Sequence, residues 1–563
     1  MTKLPEDVAE SHDLQIRFLD SFGKSGASLF RSYRECKVLA VGAGSFLVSL
    51  VEALFESGLP KIHVTITDSE PTDWNSLNAL AENARKKNPG AELKEIKISQ
   101  TTESAWRESI QSFDWVLNVG KKARVDEIRA IHRACRAEKK SLLVATCVGQ
   151  TGIAGPLVNS DSEGCWESAW RRLHRSALCK DAMTSEIRSA AGSMLANVIV
   201  SDMFRSITRV TKPELENRLY LLNLQTLEGS YHSFLPHPLI THEIKIQRVP
   251  HIDRLIGTGN CTKGDPGKFL SFIHRLTSPQ SGIFHVWGEG NLNQLPLPQC
   301  RVQAVDPLSE GPAELLPVSI HAGLTHLEAR KEAGLAGIEA YLTRIGNYLG
   351  ADFLAGPKSG SKNAKLSEFV EIGAGESVEE AVLRGLQKGL TKELIHQTAD
   401  RNPKVLGVRM SQIKDSPCRY YLRALTVLQG APTIGLGDDL LGFPVVWIGS
   451  GDRWYGSVSL TRTLALRMAL QQALLKAQNR TEVVANQGVE LLTPDPEEAI
   501  STKLDIEAVQ DTMDAELLCY AMSVLKRNRA RLFIVDIKAE PIFNEHLGGL
   551  FGVRIGKAGA SDE

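Results

Sequence analysis

Paired cysteines are missing from this sequence. Its nine cysteines are scattered and odd in number, and none falls in a Cys-x-x-Cys pattern, which sets aside a disulfide framework and a four-cysteine zinc site. Long apolar runs are missing as well. No stretch is long enough, or free enough of charge, to span a bilayer. Met1 to Asp20 is polar and carries no apolar signal core, so the sequence points to the cytoplasm. Neither sign of charge is in excess. Lys+Arg 65 against Asp+Glu 66 leaves a formal charge of -1, which gives no general electrostatic reason to bind nucleic acid or an anionic membrane.

What remains is an ordinary globular composition. The chain has 563 residues, 42% of them hydrophobic, enough for roughly two to four domains. Residues 1–35 are a polar lead-in. Lys37 to Val41 is a short apolar run ending in Gly42-Ala43-Gly44, and helical periodicity follows from Phe46 to Leu54. A second apolar strand, Ile62 to Thr67, ends at Asp68. A helix is expected over Trp74–Lys87, strands at Trp115–Val119 and Leu142–Cys147, and a helix over Asp126–Ala137 between them. Strands alternating with helices indicate a mainly parallel sheet of Rossmann-like type. The pattern continues with a helix from Ser185 to Ile207 and a strand at Leu219–Leu224. Residues 241–268 read as a linker between a first domain over 36–240 and a second α/β domain over 269–563. In that second domain helices are expected at His326–Leu349, Val378–Gln397, Leu460–Gln478 and Ile506–Asn528, a late strand at Arg531–Ile537, and a loop over Gly356–Lys365.

A strand ending in Gly-x-Gly and opening a helix directs backbone N–H groups at a helix N-terminus, where a phosphate is favoured. Gly42 permits the tight turn, Gly44 permits close approach of a pyrophosphate, and Asp68 stands where a carboxylate meets ribose hydroxyls. ATP is the cofactor this arrangement implies. The third glycine position holds Leu47, and the alternative is a doubly wound fold that keeps the turn for its shape alone.

Over 33–239 this order of elements resembles the ubiquitin-activating, ThiF/MoeB-type adenylating fold. The resemblance takes in the glycine turn, Asp68, the Ala84-Arg85-Lys86-Lys87-Asn88-Pro89 helix end, Ala134-Cys135 and the late helix Ala190–Ile207. Catalytic members of that fold hold the triphosphate with an Asn-Arg-Gln arginine, and magnesium with an aspartate after the fourth strand. Here Ala79 and Leu80 stand where Arg and Gln would be, and Gly120-Lys121-Lys122 follows the fourth strand, with Asp126 a displaced substitute. Pro236-His237-Pro238 lies where one zinc cysteine pair would be. These departures imply that no metal is held and count against adenylation.

Gly155-Pro156-Leu157-Val158, followed by the segment Gly164 to His174, is a more distinctive signature. It resembles the ThiF-like thiazole-containing bacteriocin maturation proteins, as do Ser57–Lys61, Ile66–Ser69 and Leu222–Gly229. The resemblance implies a ribosomal precursor peptide and a YcaO-type cyclodehydratase as partners, and it admits a homodimer. Cys165, Trp166, Trp170, Arg171 and Arg172 are the candidate peptide or partner contacts. Cys165 and Cys179 flank the segment, either as a thiol pair or docking surface or as packed, reduced cysteines; His174 reads as a packed histidine. Family members carry an added winged-helix module that clamps the precursor's leader as a strand. Residues 1–35 are too few for it, so the expectation is either a truncated form or a clamp supplied by another subunit.

From about Leu276 to Gly556 the chain resembles the YcaO family. The opening Leu276–Ile283 and the closing strands Phe533–Ile537 and Phe551–Ile555 carry the likeness. That family holds ATP and magnesium with helix glutamates and glutamines. Its SxxExxER motif falls on Ala333, Ala336, Glu339 and Ala340; its second set falls on Lys388, Thr391 and Lys392; its ExxxQ falls on Gln472 and Lys476. Replacing carboxylates by Lys or Ala removes the oxygen donors a hard cation needs, although a lysine can stand in for a cation. The expectation is an accessory protein of azole-peptide synthesis without catalysis of its own. Its alternatives are an active ThiF-like adenylyltransferase and a nucleotide sensor.

Overall fold

The computed structural model describes residues 12–23, 25–67, 70–98, 102–160, 162–178, 189–241, 244–252, 255–256, 265–349, 370–479, 488–492, 495–497, 503–509 and 514–557. Asp68, Cys179 and the loop 356–365 lie outside them. The chain divides into two compact units. The first takes in 1–241 with 280–282 and 309–314; the second takes in 242–279, 283–308 and 315–563.

The first unit is built on one eight-stranded sheet: β1 (Val38–Gly42), β2 (Lys61–Ile66), β3 (Glu92–Glu95), β4 (Trp115–Gly120), β5 (Ser141–Val148), β6 (Thr151–Ala154), β7 (Arg218–Asn223) and β8 (Gly229–Ser233). Their order is β3-β2-β1-β4-β5-β6-β7-β8. The first five run parallel, and β6, β7 and β8 extend the sheet antiparallel. The helices are α1 (Asp13–Asp20), α2 (Gly26–Glu35), α3 (Gly44–Glu56), α4 (Trp74–Lys87), α5 (Glu103–Ile110), α6 (Val125–Ala137), α7 (Trp166–Arg172) and α8 (Ser189–Thr208). β1 is buried along its length, because its alternate residues enter two different cores. Val38 and Ala40 pack with α3 and α8 residues such as Leu50 and Ile199. Leu39 and Val41 pack with α6 and α7 residues such as Ile131 and Ala169. A parallel strand covered on both faces reads as a continuous apolar run. Side-chain caps set helix starts: Asp73 accepts from Asn75 N at 3.0 Å before α4, and Ser25 accepts from Ser28 N before α2.

The second unit is a separate α/β assembly. A four-stranded antiparallel sheet runs Glu371–Gly375, Gly549–Lys557, Ala530–Lys538, Lys245–Arg248. A six-stranded sheet contains Val445–Ser450 and Arg453–Val458, and smaller sheets flank these. The helix Val378–Asp400 packs Ala381, Leu386 and Leu390 into a core with Phe551 and Val553. The helix Arg462–Gln478 packs Leu466 and Leu470 into another with Tyr421 and Ile448. Lys245–Arg248, expected to be irregular, is a strand. Its residues, Lys245-Ile246-Gln247-Arg248, show no apolar alternation and gain order through pairing with Val535–Lys538. Lys503–Ile506, at the expected start of the last long helix, is also a strand, and that helix begins at Asp514.

Candidate functional site

The glycine turn stands where β1 ends in the centre of the first unit's sheet. A side chain on Gly42 would collide with the Val119 carbonyl on β4, so this glycine is required by strand packing alone. Gly44 has φ +63, a conformation that glycine adopts without strain. Its N–H does not point into open space. It donates to Thr72 Oγ1 at 2.8 Å, and the Glu70 carboxylate lies where a Cβ on Gly44 would be. Lys121, after β4, holds that carboxylate at 3.2 Å. The turn is therefore flanked by an acidic side chain with its own counter-ion, a charge that repels an incoming phosphate. Among the described residues no group of the turn holds Asp126. It lies on α6, its side chain exposed, 3.7 Å from Arg129 Nη1.

The basic, Trp-containing segment is α7 and its flanks. Cys165 is the N-cap of α7, its sulfur accepting from Ser168 N at 3.5 Å. Trp166 and Trp170 stack at 5.7 Å and are buried. Arg172 is fully buried and donates to the Leu235 and Pro236 carbonyls at 3.2 and 3.0 Å. His174 is likewise buried, bonding Gly282 O at 2.8 Å. Cys165, Trp166, Trp170 and Arg172 thus form packing and do not offer a contact surface. Arg171 differs. It lines a cleft of about 640 Å³ with Arg129, His132, Arg133, Arg136, Glu103 and Glu167 among its walls. Glu167 receives Arg129 at 2.8 and 2.9 Å and Arg171 at 3.0 Å. Burial alone would raise the Glu167 carboxyl, and these two guanidinium groups bring it below the usual range. His132 is buried beside them, and burial lowers it to about 4, with Arg136 adding to the effect.

In the second unit the expected acid, Glu339, sits fully buried on the helix His326–Leu349. Every oxygen on it is engaged. Oε1 accepts from Ala374 N at 3.0 Å and Arg384 Nε at 2.7 Å; Oε2 accepts from Arg384 Nη2 at 3.1 Å and Lys388 Nζ at 2.7 Å. Arg384 also forks onto Glu332 at 2.6 and 2.9 Å. Burial would raise the Glu332 carboxyl, but the guanidinium reverses this and brings it to about 2. Lys392, one turn on, pairs with Glu371. The remaining expected positions, Gln472 and Lys476, diverge: Gln472 is buried, while Lys476 pairs with Glu490 at 3.1 Å. A divalent cation with ATP does not fit at Glu339, because two internal cations already complete its coordination. Arg384 was not singled out from the sequence. Its signal is the spacing of Arg384, Lys388 and Lys392, a basic stripe with i, i+4 spacing along one helix.

No family model and no curated protein matches the sequence. Among solved structures, a heterocyclase in complex with substrate and cofactor is similar over 99% of this chain and 84% of its own, with 13% identity and a TM-score of 0.57. The chain therefore has the α/β fold of that heterocyclase along its length. E. coli MccB in complex with MccA-N7isoASN is similar over 41% of this chain and 74% of its own, at 14% identity and a TM-score of 0.33. PaaA is similar over 41% and 75%, at 13% identity and a TM-score of 0.34. Among the described residues no helix is long and apolar enough to cross a membrane.

Proposed function

We propose that this chain is an accessory protein in the maturation of a thiazole- or oxazole-containing peptide. In this reading it works in the cytoplasm and recruits a ribosomal precursor to a YcaO-type cyclodehydratase. That enzyme turns Cys, Ser or Thr side chains into azolines with ATP. The first half, 36–240, supplies a ThiF-like framework and the second, 269–563, a YcaO-like one. The observation that carries the reading is the closed ring of Arg384, Lys388 and Ala374 N around Glu339. A hard cation needs oxygen donors, and here the donor is spent on the chain's own cations. The fold shared with a heterocyclase favours azole chemistry as the context. The Glu70 carboxylate over Gly44 favours recruitment over the alternative of an active adenylyltransferase.

The test is capture of precursor and cyclodehydratase by the purified chain, with cyclisation followed by mass. A ternary complex and faster cyclisation are expected. No complex and no effect on cyclisation would remove the reading. ATP–pyrophosphate exchange by the chain alone would replace it with the adenylyltransferase.

A further inference from the structure

The eight-stranded sheet ends in two edges of different character. At β3 the edge reads Glu92-Leu93-Lys94-Glu95, with Glu92, Lys94 and Glu95, and charge of this kind discourages another strand from pairing. At β8 it reads Gly229-Ser230-Tyr231-His232-Ser233, with no Lys, Asp, Glu or Pro, and all but His232 are exposed.

The hydrogen-bond register shows which backbone groups that edge presents. Asn223 N donates to Glu228 O at 2.9 Å and Phe234 N to Asn217 O at 3.2 Å. Bonded and non-bonded pairs alternate along an antiparallel ladder. With β8 paired as Arg218 to Ser233 through Leu222 to Gly229, Ser230 and His232 bond inward to β7. Gly229, Tyr231 and Ser233 turn their N–H and C=O outward. An independent contact agrees: Ser281 Oγ donates to Ser233 O at 2.8 Å, closing one end of the edge from outside. Among the described residues no strand pairs with the rest.

We infer that the outer edge of β8 takes up an extended, uncharged peptide segment as a ninth strand. The choice of a peptide rests on the recruiting role proposed above. Size supports it over a second copy of the chain. Five residues give an edge about 17 Å long, whereas a stable dimer buries about 1,200 Å² or more. The edge also carries one side-chain preference. Tyr231 is 40% exposed and leans on Tyr220 at 4.9 Å between ring centroids, so an apolar or aromatic residue is favoured opposite it.

The test is panning of phage-displayed random dodecapeptides on the full chain, with amide exchange as the second measurement. Tyr231→Pro removes an outward donor and leaves the inward ladder bonds in place; Tyr231→Val removes the ring and keeps the donor. Selected peptides are expected to bind wild type and Tyr231→Val, to bind Tyr231→Pro at least tenfold more weakly, and to slow exchange at Gly229, Tyr231 and Ser233 in the wild-type chain. Exchange in wild type reads the site even if Tyr231→Pro does not fold. Recovery of no peptide, protection elsewhere, or equal binding to folded Tyr231→Pro overturns the inference, as does dimerisation through β8. A precursor captured equally by wild type and Tyr231→Pro would overturn it while leaving recruitment intact.

Discussion

Lys388 Nζ lies 2.7 Å from Glu339 Oε2, an oxygen with no exposure to solvent. This ammonium and the Arg384 guanidinium close the carboxylate on both sides. Removing one member of such a buried set leaves an uncompensated charge, which costs far more than the net worth of the pair. Glu339→Gln is expected to destabilise the second unit by about 3 kcal/mol in chemical denaturation. Lys388→Met is expected to cost less, since its side chain is 36% exposed and Arg384 stays in place. The reverse ranking would show that Arg384 and Lys388 do not depend on Glu339.

The glycine turn predicts a binding result. Calorimetric titration of the wild-type chain with ATP is expected to give at most weak heat, because the triphosphate meets the Glu70 carboxylate over Gly44. Glu70→Ala is expected to tighten ATP binding about tenfold, equivalent to about 1.4 kcal/mol. Tight binding by wild type, unchanged in Glu70→Ala, would place the nucleotide elsewhere.

Two buried histidines set a pH dependence. Burial lowers both His132 and His321 to about 4. In the unfolded chain each titrates near 6.5. Between those values the unfolded state binds more protons, so stability rises with pH there. The contribution is complete above about pH 6.5 and is lost as pH falls towards 4, with an upper limit of about 3 kcal/mol per histidine. Denaturation curves from pH 7 to 4 measure it. His132→Phe is expected to flatten the slope for the first unit; an unchanged slope would assign the effect to other groups.

Arg172 and Arg171 are neighbours with unequal expected costs. Arg172→Met strands two carbonyls that its guanidinium satisfies, and is expected to lower the stability of the first unit by about 3 kcal/mol. Arg171→Met removes one of two guanidinium groups on Glu167, and Arg129 stays in place, so it is expected to cost less, about 1 kcal/mol. Thermal unfolding of the two variants separates them.

Much of the helix pattern in both units could be read from the chain. Trp74–Lys87 and His326–Leu349 begin and end where periodicity and stop residues place them. The edge strands β3 and β8 and the short β6 could not, because Glu-Leu-Lys-Glu and Gly-Ser-Tyr-His-Ser have no apolar alternation and are ordered by a neighbour's ladder. The glycine turn was legible as a turn. Its flanking by Glu70 was not, since that depends on the chain returning to place Thr72 and Glu70 against Gly44. Trp166, Trp170 and Arg172 read as surface because the segment mixes aromatic and charged residues. Their burial follows from the sheet beneath and from carbonyls more than sixty positions away.

The buried arginine that binds Leu235 and Pro236 has a kinetic consequence. Those two residues lead directly out of β8, so the end of the strand is anchored to a helix before anything arrives from outside. A newcomer would find its template rigid and would lose little disorder from the receiving side on docking. Encounter, rather than rearrangement of this chain, would then set the pace of complex formation.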